Sequence, residues 1–255
     1  MHRIEALLFD VDGTLADTER DAHRSAFNAT FAAAGLDWHW SVELYGELLA
    51  ITGGKERIRY YIDRYRPDFE PPGDMDAFIA GLHRAKTAHY TRMLEQGGVP
   101  LRPGVRRLLR EARHQGVRLA IATTTSPENV TALLEHCLEP GSTQWFEVIA
   151  AGDSVPAKKP APDVYHHALD ALRLAPDRCV AFEDSANGLK SSLGAGLGTI
   201  VTVNDYTRDQ DFTGAQLVLD HLGEPEQPFT VLAGDARGAR CLDLGLLERL
   251  MRAAA

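Results

Sequence analysis

The sequence predicts an α/β fold: a doubly wound parallel sheet interrupted, after its first strand, by an all-helical insertion. Two observations carry this. Short apolar runs bounded by turn residues alternate with helical periodicity from Pro103 onward, and no strand-like alternation appears between residues 18 and 98. A third observation locates the chemistry. The run Leu7-Leu8-Phe9 ends in Asp10-Val11-Asp12-Gly13-Thr14, two carboxylates one residue apart before a glycine. In open α/β sheets ligands gather beyond the carboxyl ends of strands. Residues i and i+2 leave a strand on the same side.

Residues 17–35 then read as a helix ended by Gly35, followed by helices over 41–49, 55–65 and 74–94. Gly97-Gly98-Val99-Pro100 closes the insertion and supplies a hinge. The expected division is therefore a core of residues 1–17 and 99–255 and a helical domain of residues 18–98. In the core, helices are expected over 104–115, 127–138, 162–174 and 185–195. Strands are expected over 117–122, 146–150, 179–182, 199–203 and 217–219. Such βα repetition implies right-handed crossovers and helices on both faces, a Rossmann-like core. Residues 229–232 read as an edge strand and 242–251 as a final amphipathic helix.

The chain has 255 residues, with 44% hydrophobic and 25% charged residues, ordinary for a soluble globular protein. Its net charge of −9 argues against nucleic acid or an anionic membrane as partner. An anionic substrate would need positive charge from a metal, Lys or Arg. Cys137, Cys179 and Cys241 show no ligand spacing and read as free thiols in a reducing compartment. With neither a signal peptide nor an apolar run long enough to span a bilayer, a cytoplasmic monomer is expected.

Three further stretches fall at strand ends. Thr123-Thr124-Thr125-Ser126 follows an apolar run; a hydroxyl and turn amides there can hold phosphoryl oxygens, although threonines also suit plain turns. In Lys158-Lys159-Pro160-Ala161-Pro162-Asp163 the prolines fix the backbone, so that one lysine can be aimed. In Glu183-Asp184-Ser185 an apolar run again ends in paired acids, suited to Mg²⁺ or to capping the next helix.

Together these stretches resemble the four motifs of the haloacid-dehalogenase-like phosphohydrolases. The resemblance implies Asp10 as nucleophile, Asp12 as general acid and base, and Lys159 neutralising Asp10 and the phosphoryl group, with Lys158 facing solvent. It implies Thr123 and the Thr124 amide as phosphate ligands. Mg²⁺ would be held by Asp10, the Asp12 carbonyl and Asp184, with Glu183 direct or through water. The insertion then corresponds to a cap that closes over the site. Within it, Thr52-Gly53-Gly54-Lys55-Glu56-Arg57 reads either as a seat for a distant anionic group or as a Gly-Gly turn before a charged helix.

That stretch, with Asp17-Thr18-Glu19, His23 and Leu36-Asp37-Trp38, is similar to the CbbY group, whose members take the 1-phosphate from xylulose 1,5-bisphosphate. The implied substrate is a small sugar phosphate, with Asp17, Thr52, Gly53, Gly54, Lys55 and Arg57 as binding residues. In many relatives a histidine lies four residues after the threonine at Thr18; here His23 lies five after it, and the resemblance gives it no role. Trp38 and Trp40 are expected to pack the cap. The alternatives are a β-phosphoglucomutase-type phosphotransferase and a non-enzymatic regulator on the same fold; the intact acids, Thr123 and Lys159 speak against the last.

Overall fold

The computed structural model describes residues 4–97 and 99–254; Gly98 of the expected hinge, the first three residues and Ala255 lie outside them. Its centre is β1 (Ala6–Phe9), whose four residues are all buried. Leu7 and Phe9 join the apolar cluster on one face, Ala6 and Leu8 that on the other. The period of two thus serves two helical layers at once.

Around it lie β2 (Arg118–Ala122), β3 (Val148–Ala150), β4 (Cys179–Glu183), β5 (Gly198–Thr202), β6 (Leu217–Leu219) and β7 (Val231–Gly234), in the order β3-β2-β1-β4-β5-β6-β7. The pairs from β3 through to β6 are parallel, and β7 is antiparallel to β6. The strand order reverses at β1, the position where such sheets open a crevice. Helices α5 (Val105–His114), α6 (Pro127–Leu133) and α9 (Leu244–Ala254) cover one face, and α7 (Asp163–Leu172) the other. Helix α8 (Ala186–Gly194) lies beside β5 and β6, its Leu189 packed with Val201 and Val218.

Between β1 and α5 stand α1 (Arg24–Ala33), α2 (Val42–Leu48), α3 (Gly54–Tyr65) and α4 (Met75–Glu95). They enclose an aromatic core of their own, built on Phe27, Phe31, Trp38, Trp40, Tyr45 and Tyr61. Trp40 is fully buried, edge-on to Phe31 and Tyr61, so it packs the cap as expected. The two chain crossings into this unit lie side by side: Ala16 bridges Leu101, and Arg102 N–H donates to Leu15 at 2.9 Å.

Element boundaries depart from expectation in instructive places. The helix expected over 17–35 begins as a π-helical turn, Glu19–His23, before α1. A second π-helical turn, Leu134–Leu138, ends the helix expected over 127–138. The edge strand lies two residues later than read, at Val231–Gly234. Among the described residues no helix is long and apolar enough to cross a membrane.

Candidate active site

Asp10 leaves β1 with its N–H bonded to Phe182 at 3.0 Å, so the ends of β1 and β4 are level. Gly13 turns the chain at φ 85°, and a Cβ there would lie 2.2 Å from Asp184 Oδ2. Only glycine admits both the turn and the close approach. Strand β4 delivers Glu183 and Asp184. The cap of α8 is Ser185, whose hydroxyl accepts from Gly188 N–H at 3.2 Å, which leaves Asp184 free of that duty. Asn204, just past β5, donates to Asp184 Oδ2 at 2.7 Å.

Lys159 is buried and donates to both Asp10 Oδ1 and Glu183 Oε1 at 2.7 Å. Tyr165 on α7 donates to the same Glu183 oxygen. Thr123, 2% exposed at the end of β2, and Thr124 face Asp10 across a cavity of 290 Å³. The same cavity is lined by Asp12, Thr52, Gly53, Lys159, Glu183 and Asp184.

Burial dominates the electrostatics. It raises Asp10 to about 7, helped by Glu183 and Asp12 and opposed by Lys159. Burial, Asp10 and Glu183 raise Asp184 well above the carboxylate range. For Lys159 burial opposes the charge, but Asp10 and Glu183 outweigh it and keep the ammonium protonated. Carboxylate oxygens of Asp10, Glu183 and Asp184 all lie within 4.8 Å of one another. One lysine does not neutralise three clustered acids, and Glu183 Oε2 is buried with no hydrogen-bond partner. An oxygen-only, buried, electron-rich cluster of this kind fits a hard divalent cation.

Asp12 is held differently. Burial pushes its pKa up, but His23, Thr18 and Lys86 together bring it down to about 2. His23 Nε2 lies 2.8 Å from Asp12 Oδ1, Thr18 donates to that same oxygen, and Lys86 of α4 bonds His23 Nδ1. With the Lys86 ammonium donating to Nδ1, the imidazole proton sits on Nε2 and points at Asp12. His23 is stacked on Tyr90 at 4.2 Å. The π-helical turn explains the spacing: it takes up one extra residue, so a histidine five places after Thr18 still reaches the site. Lys86, His23 and Thr18 were not legible as a group, because their contacts cross from the hinge to a helix more than sixty residues on.

The cap residues divide. Gly53, Gly54, Lys55 and Arg57 line a second cavity of 490 Å³, which also reaches Asp12, His83, Lys86, Ser126 and Lys158. Lys55 pairs with Asp153 at 2.7 Å, and Lys158 with Glu56 at 2.6 Å and Asp153 at 3.1 Å, so cap and core exchange charges across this chamber. Lys158 therefore does not face solvent; its side chain is 18% exposed. Arg57, expected to grip an anion, is buried and donates to the Leu48 and Ile51 carbonyls and to the Tyr45 hydroxyl. Its guanidinium is committed to the cap's own fold. Asp17 is not brought to the site: its carboxylate, 58% exposed, lies 3.3 Å from Arg102 on the hinge side.

The haloacid dehalogenase-like hydrolase family model matches residues 4–196. Protein CbbY of Cereibacter sphaeroides is 51% identical over 221 residues, 87% of this chain and 94% of that protein. The plasmid-encoded CbbY of Cupriavidus necator is 47% identical over 89% of each. A crystal structure of mutant CbbY from Rhodobacter sphaeroides in complex with xylulose-(1,5)bisphosphate superposes with a TM-score of 0.79 at 50% identity, covering 86% of this chain and 94% of that one. With the matched motifs meeting at one cluster of strand ends, the chain belongs to the haloacid dehalogenase-like hydrolases and is a phosphatase of their CbbY group.

Proposed function

We propose that this protein is a Mg²⁺-dependent phosphatase that removes the 1-phosphate of xylulose 1,5-bisphosphate, with residues 18–98 acting as its cap. The observation that carries the reading is the pairing of two cavities that share Asp12. One holds Asp10, Thr123 and Lys159; the other is lined by Lys55, Lys86, Lys158 and the Gly53-Gly54 backbone. A substrate with a phosphate at each end matches that arrangement, and the bisphosphate bound by a relative at 50% identity supports it.

In this reading an Asp10 oxygen attacks phosphorus, the bond to the sugar oxygen breaks, and an aspartyl-phosphate forms. Lys159 and the Thr123 hydroxyl and Thr124 amide stabilise the equatorial oxygens. Asp12 gives a proton to the departing sugar oxygen and later takes one from the water that cleaves the acyl phosphate. Because Asp12 is ionised in the free protein, that first proton has to reach it, and His23 and Lys86, bonded in series behind it, are the groups able to supply one. Asp10, Asp184 and the Asp12 carbonyl would hold Mg²⁺, with Glu183 beside them, and the ion would offset charge on the phosphoryl group. In the second chamber Lys55 and Lys158 already hold carboxylates, and a distal phosphate would take the place of Asp153 and Glu56.

The test is Mg²⁺-dependent phosphate release from xylulose 1,5-bisphosphate, run beside xylulose 5-phosphate and β-glucose 1-phosphate. Strong preference for the bisphosphate, with xylulose 5-phosphate as product, is expected. Equal slow hydrolysis of all three would remove the substrate and leave the phosphatase. Glucose 6-phosphate formed without net phosphate release would mean a mutase.

A further inference from the structure

Arg102 lies on the chain's return from cap to core and is 7% exposed. Its guanidinium touches none of the reacting groups, yet it binds backbone that follows β1 and lies at or just past the ends of β5 and β6. One terminal nitrogen donates to the carbonyls of Gly13 and Thr202, the second to those of Val203 at 2.5 Å and Asp220 at 2.6 Å. The Nε side faces Asp17 at 3.3 Å. Gly13 follows Asp12 inside the turn that Thr14 and Leu15 close onto the Val11 carbonyl. Val203 precedes Asn204, which holds Asp184 at 2.7 Å. Asp220 follows β6. Gly13, Asn204 and Asp184 also meet directly, since a Cβ on Gly13 would lie 2.2 Å from Asp184 Oδ2 and 2.6 Å from Asn204 Nδ2.

We propose that Arg102 is a positioning residue: from the hinge it fixes the Asp12-Gly13 turn and the Asn204–Asp184 contact relative to each other, and so sets the geometry of the acid cluster. Four carbonyls converging on one planar fork is an arrangement that lysine, a single flexible ammonium, cannot reproduce. Asp17 is the ion partner of this hinge arginine and lines neither of the two cavities. Because Arg102 N–H also bonds Leu15 and its neighbour Leu101 bridges Ala16, the guanidinium is seated only when both crossings into the cap are in place.

The inference rests on the phosphatase reading only where it concerns Mg²⁺, so the experiment has two arms. Hydrogen exchange is followed in Arg102→Lys and Arg102→Met, without metal, in peptides covering residues 10–17 and 200–207. Magnesium is titrated calorimetrically and by p-nitrophenyl phosphate turnover in the same proteins. Faster exchange confined to those two segments is expected. The half-saturating Mg²⁺ concentration should rise by about tenfold or more. Arg102→Lys keeps the charge and serves if Arg102→Met does not fold. Wild-type exchange in both segments, or a uniform rise along the whole chain with Mg²⁺ affinity unchanged, would overturn the proposal. A parent protein indifferent to Mg²⁺ would remove the metal reading, and the exchange arm would still decide the role of Arg102.

Discussion

The strand-end cavity and the cap-side chamber are furnished with the same residue types, lysines facing carboxylates, and hold them in opposite ways. In the first, Lys159 is 6% exposed and bonded to two acids that are themselves buried. In the second, Lys55 is 41% exposed and its partner Asp153 is 64% exposed. Removing one member of a buried pair leaves an uncompensated charge and costs several kcal/mol, whereas an exposed pair contributes about 0–1 kcal/mol. The first arrangement is therefore a fixed tool. The second, at Lys55, is an exposed contact that a phosphate would replace in the proposed reading.

The largest effect should come from the fixed site. Asp10→Asn is expected to lower turnover by more than about 10³-fold while leaving the circular dichroism spectrum unchanged. Substantial residual activity in protein free of contaminating phosphatase would break the nucleophile assignment. His23→Asn tests where the fixed region ends, since this residue enters from the cap side yet is 3% exposed and bonded to Asp12. A loss on the order of 10²-fold is expected, on generic esters and bisphosphate alike. A loss seen with the bisphosphate alone would move His23 into the exchangeable group.

In the cap the two basic residues should now part company. Lys55→Ala is expected to raise KM for the bisphosphate by about tenfold, worth 1.4 kcal/mol, and to leave p-nitrophenyl phosphate turnover nearly unchanged. Arg57→Ala should instead lower stability by about 1–3 kcal/mol, because it removes the buried donor shared by the Leu48 and Ile51 carbonyls and the Tyr45 hydroxyl, and impair both substrates equally. Thermal melts beside kinetics on the two substrates distinguish these outcomes. Equal behaviour of the two variants would erase the distinction between a contact residue and a fold residue.

This division also marks what could be read from the sequence. Asp10, Thr123, Lys159 and Asp184 stand at the ends of apolar runs, and once the runs are recognised as neighbouring parallel strands their convergence follows from topology. Nothing local told Arg57 from Lys55, two residues apart on one helix, because their fates depend on Tyr45, Leu48 and Asp153 in other elements. Asp17 lies outside both cavities for a related reason: its partner, Arg102, lies eighty-five positions away. His23 was hidden by a count of five, which only a π-helical turn makes compatible with contact to Asp12.

The smallest effect concerns protons at the fixed site. Asp10 stands at about 7, raised by burial first and by Glu183 and Asp12 next, and Asp184 is raised for the same kind of reason. A carboxylate raised on folding contributes stability below its ordinary pKa near 3.8 and loses it as pH climbs through the folded value. The metal-free protein should therefore become less stable between pH 4 and about 7 on account of this pair, and Mg²⁺ should restore most at the upper end. Binding the ion requires ionised carboxylates, so at pH 6 it should release protons, and fewer from Asp10 at pH 8. Titration calorimetry in two buffers of different protonation enthalpy reads their number directly. Heats independent of buffer at pH 6 would mean that Lys159 alone keeps the cluster ionised, and that the buried site tolerates its charge as easily as the exposed chamber does.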